Sequence, residues 1–114
     1  LRAIFLLDTT GKPVGRNTGD YGIRLFIENV PEDAYAVTYR LDESYYNPVR
    51  EVLEREGGFA EELTSYGNYI ITAKIRTRSF PIELRTSLYK ALKEAHGKDS
   101  EPSIQKALED IRNN

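Results

Sequence analysis

Tyr69-Ile70-Ile71-Thr72-Ala73-Lys74-Ile75-Arg76-Thr77-Arg78 carries the longest two-residue alternation in the chain. Tyr69, Ile71, Ala73 and Ile75 take one side, and Thr72, Lys74, Arg76 and Arg78 take the other. This is the pattern of a strand with one face in a core and the other in water. Two upstream segments repeat it. Ile23, Leu25 and Ile27 oppose Arg24 and Glu28, while Val37, Tyr39 and Leu41 oppose Thr38, Arg40 and Asp42. Shorter candidate strands lie at Ala3 to Leu7, Val49 to Glu54, around Phe59, and Pro81 to Arg85. Turn-formers separate them: Gly11, Pro13, Gly15, Asn17 and Gly19 in one polar loop, Asn29 to Asp33 in a turn, and Gly57-Gly58 in a predicted hairpin. About seven short strands at this spacing describe a two-layer β-sandwich.

After Thr86 the period changes. Leu88, Ala91, Leu92 and Ala95 recur at helical spacing, and Gly97 stands where a left-handed C-cap is expected. A second helix starts near Ser100, with Pro102 in its first turn and an apolar stripe of Ile104, Ala107, Leu108 and Ile111. Because Ile82, Leu84, Thr86 and Leu88 also alternate, the strand is expected to run to about Arg85, with helix beyond. The chain therefore divides into a sandwich over residues 1–86 and a helical extension over 87–114, with no internal repeat.

The 114 residues fit one domain, with 39% hydrophobic and 30% charged residues, the balance of a globular chain. The longest apolar run, Ala3 to Leu7, is far too short to span a bilayer. A net charge of −2 disfavours nucleic acid, whose recognition needs a Lys/Arg excess on one face. The absence of cysteine removes disulfides and thiolate metal sites and fits a reducing cytoplasm. With Leu1 first and no Met anywhere, the sequence reads as a segment of a longer protein.

Few groups suggest catalysis. Asp8 ends an apolar strand in Phe5-Leu6-Leu7-Asp8-Thr9-Thr10-Gly11, yet the further carboxylates or lysine of an aspartyl site are missing, and Asp is an ordinary turn-former. Gly11-Lys12-Pro13-Val14-Gly15 lacks the spacing of a phosphate loop. His96 is the only histidine, so no histidine-based zinc site can form; at a predicted helix end its imidazole would meet the terminal carbonyls. No cofactor is implied. Lys74, Arg76 and Arg78 share a strand face with Arg40 nearby, a stripe that reads as a solvated outer surface. An enzyme is the weakest class; a deep cleft with at least two convergent titratable groups would revive it, and Asp8, Asp42 and His96 are the first groups to place.

The tyrosines are the distinctive feature. Eight residues are Tyr, four are Phe and none is Trp. Tyr45, Tyr46 and Tyr66 fall in loops, where aromatic rings can wall a pocket for a flat or cationic group or simply pack as amphipathic side chains. Val37-Thr38-Tyr39-Arg40-Leu41-Asp42-Glu43-Ser44-Tyr45-Tyr46-Asn47-Pro48-Val49-Arg50 resembles the signature of the YEATS domain, a strand ending in Leu-His-x-Ser-Phe followed three residues later by Pro and then a basic residue. Leu41, Ser44, Pro48 and Arg50 match, and Tyr45 holds the aromatic place. Ser65-Tyr66-Gly67-Asn68-Tyr69, leading into the strand from Ile70, is similar to the family's second motif. The departures are Asp42 for His, Asn68 for Gly, and Tyr for Phe at Tyr45 and Tyr69.

The resemblance implies an immunoglobulin-like sandwich whose loops at one end hold an acylated lysine between aromatic rings. Tyr45 and Tyr66 would be the walls, Ser44 the hydroxyl that bonds the amide, and the Tyr66 and Gly67 backbone the other polar contact, with the Asp42 charge beside them. Gly57-Gly58-Phe59 and the lack of a basic excess resemble the prokaryotic branch. There the domain acts as a sensor or adaptor joined to effector domains, often TIR-like, in signalling and defence proteins. The partner so implied is a protein or peptide. A rival reading is a structural or assembly domain without a small ligand, whose Ile104, Leu108 and Ile111 stripe docks on a neighbouring domain or a second copy.

Overall fold

Alternation becomes sheet in seven strands among the described residues: β1 (Arg2–Phe5), β2 (Tyr21–Phe26), β3 (Ala34–Arg40), β4 (Val49–Val52), β5 (Glu61–Ser65), β6 (Ile70–Thr77) and β7 (Ile82–Ser87). The computed structural model describes residues 1–15 and 19–114. Asn17, expected in the first polar loop, lies outside them. One sheet has the order β1-β2-β5 and the other β4-β3-β6-β7, with every pairing antiparallel. The architecture is the immunoglobulin-like sandwich with short C-terminal helices. Ile23 and Leu25 of the first sheet, and Val37, Tyr39, Ile71 and Ala73 of the second, are wholly buried between the layers.

The expected strand around Phe59 does not form, and Gly57-Gly58 is not a β-hairpin. Residues Glu56–Phe59 make a single turn, α1, in which Gly57, Gly58 and the non-glycine Phe59 all have positive φ (69°, 78° and 56°). Phe59 is wholly buried, and its carbonyl accepts the Tyr39 hydroxyl at 2.7 Å. Arg55 braces the turn by donating to the carbonyls of Ala34 (2.8 Å) and Pro31 (2.9 Å). This turn moves the chain from β4 in one sheet to β5 in the other, so the strand begins at Glu61 instead.

β7 runs to Ser87, two residues past the expected boundary, because Thr86 and Ser87 stay in register with Ile71 and Ile70. Ser87 then caps α2 (Leu88–His96) by accepting the Lys90 amide at 3.1 Å. Gly97 is right-handed at φ −59°, not left-handed, although its N–H still donates to the Lys93 carbonyl at 2.7 Å. Ala95, expected on the apolar stripe, is exposed, and His96 is buried in its place. α3 (Pro102–Asn113) has Pro102 in its first turn.

Leu88, Ala91, Leu92, Ile104, Ala107, Leu108 and Ile111 join the same core cluster as the strands. The stripe on which the assembly reading turned is therefore covered inside this chain: Ile104, Leu108 and Ile111 are 3%, 5% and 0% exposed. Tyr21 fastens α3 to β2 by donating to Asp110 at 2.5 Å, and Lys106 reaches the same carboxylate at 2.7 Å. No helix of the described residues is long and apolar enough to cross a membrane.

Candidate binding site

Two loops meet at one end of the sandwich. The β3–β4 loop is pinned at its base, where the Leu41 N–H donates to the Pro48 carbonyl at 2.7 Å. Asp42 then makes a tight turn, its carboxylate accepting the Ser44 N–H at 3.0 Å and its carbonyl accepting the Tyr45 N–H at 3.1 Å. At the end of β5 the buried Ser65 hydroxyl donates to the carbonyl of Gly67, in the β5–β6 loop, at 2.7 Å and accepts the Gly67 N–H at 3.2 Å. Both motifs therefore fold on hydrogen bonds spanning a few residues. Together they wall a cleft of about 510 Å³ lined by Asp42, Ser44, Tyr45, Tyr66 and Gly67, with Asp20, Thr64, Ser65, Asn68, Tyr69 and Asn114 around them.

All five residues singled out from the sequence thus border one cleft, in different postures. Tyr45 is half-buried: its ring stands edge-on to Tyr69, with centroids 5.5 Å apart and planes at 61°, and the Arg50 guanidinium lies 5.6 Å from the ring centre. The Tyr45 hydroxyl accepts from Tyr69 at 3.0 Å and donates to the Thr64 carbonyl at 2.6 Å. Tyr66, by contrast, is 64% exposed. The Tyr45 ring is built into the scaffold, and the Tyr66 ring stands in solvent.

The polar groups are arranged by the same bonds. Hydrogen bonds from the Ser44 side chain and backbone hold the Asp42 carboxyl below its ordinary value, so the carboxylate is charged at neutral pH. Burial, followed by the hydrogen bond with Tyr45, pushes the Tyr69 phenol well above its usual range and keeps it a neutral donor. The Gly67 N–H is already used by Ser65. A Cβ at Gly67 would lie 2.8 Å from the Asn114 carbonyl, so only glycine lets the end of the helical segment close this side of the cleft.

Sequence reasoning missed Asp20, Thr64, Ser65, Asn68 and Asn114 as lining, and it read Tyr69 as core-facing and in the family motif, not as a cleft residue. Thr64 and Ser65 belong to β5, which polar Glu61-Glu62-Leu63-Thr64-Ser65 disguises; the signal was Leu63 and Ser65, both buried, alternating with exposed Glu62 and Thr64.

The other groups considered for catalysis lie in structural roles. Asp8 accepts from the Thr10 N–H (2.9 Å), the Thr10 hydroxyl (2.6 Å) and the Lys12 N–H (3.1 Å), closing its own loop. His96 does not face helix-terminal carbonyls: its Nε2 accepts the Phe5 N–H at 3.0 Å, which puts the proton on Nδ1, 2.7 Å from Asp99. Among the described residues no group of three or more His, Asp or Glu could hold a metal. Lys74, Arg76 and Arg78 are exposed on the outer face of β6 and just beyond it, with Arg76 3.6 Å from Glu51.

An immunoglobulin-like sandwich that gathers tyrosine-bearing loops around a cleft at one end defines a β-sandwich binding module. The profile of the prokaryotic YEATS domain matches residues 21–88, which hold both loops. This chain belongs to the prokaryotic YEATS domain family. Solved structures agree in fold. The Yaf9 YEATS domain bound to H3K27ac superposes with a TM-score of 0.57 at 18% identity, over 75% of this chain and 66% of that one. The Yaf9 YEATS domain recognizing an H3K122suc peptide gives 0.54 at 16%, over 75% and 65%. The yeast AF-9 homolog Yaf9 gives 0.54 at 19%, over 75% and 60%. The chain thus spans somewhat under two thirds of each Yaf9 chain. No curated protein matches the sequence.

Proposed function

We propose that this chain is a recognition module that takes the side chain of a lysine, acylated or ending in a similar small flat group, into the cleft between the β3–β4 and β5–β6 loops. The observation that carries the reading is the meeting of Ser44 and Tyr45 with Tyr66 and Gly67 around one opening. The matched Yaf9 domains are described with acylated histone peptides, which favours the same class of guest here. A planar amide would lie against the open Tyr66 ring with Tyr45 as the fixed wall. The Ser44 hydroxyl, bonded to Asp42, would offer its lone pairs to the amide N–H. With the Gly67 N–H occupied, the Tyr66 N–H is the backbone donor left in that turn for the acyl oxygen. The setting we infer is a cytoplasmic signalling or defence protein in which the module serves an effector domain, TIR-like in the related branch.

Asp42 supports a second reading. A carboxylate beside tyrosine rings suits a cationic amine, which points to an unacylated or methylated lysine. Isothermal titration with acetyl-, crotonyl-, trimethyl- and unmodified-lysine peptides separates the two. The acyl reading expects the neutral amides to bind more tightly and Asp42→Asn to leave them unaffected; the cationic reading expects the reverse order and a loss in Asp42→Asn. Either reading requires Tyr66→Ala to weaken binding about tenfold or more, consistent with the roughly 1–3 kcal/mol of a stacked ring. Undiminished affinity in Tyr66→Ala and Tyr45→Ala would refute the cleft assignment.

A further inference from the structure

β7 is an outer strand of the four-stranded sheet, with β6 on one side. Its ladder fixes which backbone groups are spent. The Leu88 N–H donates to the Tyr69 carbonyl at 2.9 Å, and the register runs on through Thr86 with Ile71, Leu84 with Ala73 and Ile82 with Ile75. In an antiparallel pair every second residue exchanges both hydrogen bonds with its opposite number. Ile82, Leu84 and Thr86 therefore direct their N–H and C=O groups to β6, and Glu83 and Arg85 direct theirs to the outer edge. Among the described residues no further backbone hydrogen bond reaches Glu83 or Arg85, and neither is in an ion pair. Both side chains are exposed, while Ile82 and Leu84 are half-buried on the opposite face.

An open edge with two complete donor–acceptor residues is a template for another strand. The side chains decide which. Antiparallel pairing of β7 with its own copy can place only outward residues in hydrogen-bonded pairs, which leaves three registers. Glu83 opposite Glu83 sets carboxylates against each other and puts Arg85 opposite Pro81, which has no N–H. Arg85 opposite Arg85 sets guanidinium against guanidinium. Glu83 opposite Arg85 makes two opposite-charge pairs by symmetry and four backbone hydrogen bonds, with Leu84 facing Leu84 on the two-fold axis and Ile82 facing Thr86. Lys74 already stands opposite Glu83 within the chain, so this register leaves each Glu83 carboxylate between two cations.

We propose that the protein self-associates as a two-fold dimer through β7, Glu83 of each copy facing Arg85 of the other, and that the two four-stranded sheets become one. The dimer does not depend on the lysine-binding reading.

The test is sedimentation equilibrium of the whole chain over a concentration series to about 1 mM, with circular dichroism to confirm that each exposed-residue variant is folded. The native chain is expected to dimerise, Glu83→Arg and Arg85→Glu each to weaken the dimer at least tenfold, and the double exchange Glu83→Arg/Arg85→Glu to restore it. A native chain that stays monomeric throughout, or single variants that dimerise undiminished, overturns the proposal. Failure of the double exchange to restore the dimer overturns the register.

Discussion

The Tyr69 hydroxyl donates to the Tyr45 hydroxyl across 3.0 Å, and Tyr45 donates its own proton to the Thr64 carbonyl at 2.6 Å. This chain of bonds joins the residue just before β6, the β3–β4 loop and β5. Tyr45→Phe removes its middle member, leaving the Tyr69 hydroxyl without its acceptor, and is expected to cost about 1–2 kcal/mol. Tyr69→Phe should cost about 1 kcal/mol. Urea unfolding of both variants and the double variant checks the link. Losses in the double variant well short of the sum indicate coupling; strict additivity means that the two phenols act separately.

A pH dependence follows from the Tyr21–Asp110 pair. Burial, with the Asp110 hydrogen bond second, raises the Tyr21 phenol from 10.0 to about 12. Its contribution to stability is complete below pH 10 and lost as pH climbs through about 12. Asp110 is held below 3.8, first by Lys106 and then by Tyr21. Its contribution is complete above that value and lost as pH falls through the lower folded value. Thermal unfolding against pH should show Tyr21→Phe less stable than the native chain near neutrality by about 1 kcal/mol, with the curves converging at both extremes. A constant gap at every pH would contradict this account.

His96 serves the fold by accepting the Phe5 N–H at 3.0 Å. His96→Leu keeps a side chain of similar bulk but leaves that buried amide without an acceptor, at a cost of about 1–3 kcal/mol. Hydrogen exchange should report faster exchange at the Phe5 amide than at its neighbours in β1. Unchanged protection there would show that another group takes over as acceptor.

The neighbouring glycines of α1 separate backbone strain from collision. At Gly57 a Cβ would meet Ala60 at an ordinary 3.6 Å, so Gly57→Ala carries only the left-handed penalty of about 1 kcal/mol. At Gly58 a Cβ would lie 2.3 Å from the Ile27 carbonyl oxygen, whose residue also donates its N–H to the Gly58 carbonyl at 2.8 Å. Gly58→Ala should therefore cost about 2–4 kcal/mol. Equal losses in denaturant would show that the collision is relieved at little cost.

Strands β2, β3 and β6 were legible because burial of alternate side chains is a local property: Ile23 and Leu25, Val37 and Tyr39, Ile71 and Ala73 declare their face without reference to any partner. β5 was not, because its residues are mostly polar and it is a strand by virtue of pairing with β2. Phe59 misled for the opposite reason. An aromatic after two glycines looks like a strand, but the glycines permit a left-handed turn, and the buried contacts of the ring and the Tyr39 hydroxyl keep the phenylalanine there. His96 was placed at the right helix end with the wrong partner, since its acceptor role depends on Phe5, 91 residues away.

Asp42, Ser44, Tyr45, Tyr66 and Gly67 could be named from two short motifs, whose turns close on hydrogen bonds between near neighbours such as Ser44 with Asp42 and Gly67 with Ser65. Their meeting could not be read locally. It follows from strand order, because β3 pairs with β6 and β2 with β5, and these long-range ladders bring Tyr45 beside Tyr69 and put Tyr66 on the border of the same cleft. Periodicity states which face of a strand avoids water; only the pairing of distant strands states which loops share an end. Here that pairing committed the Tyr45 ring to the scaffold and left the Tyr66 ring open.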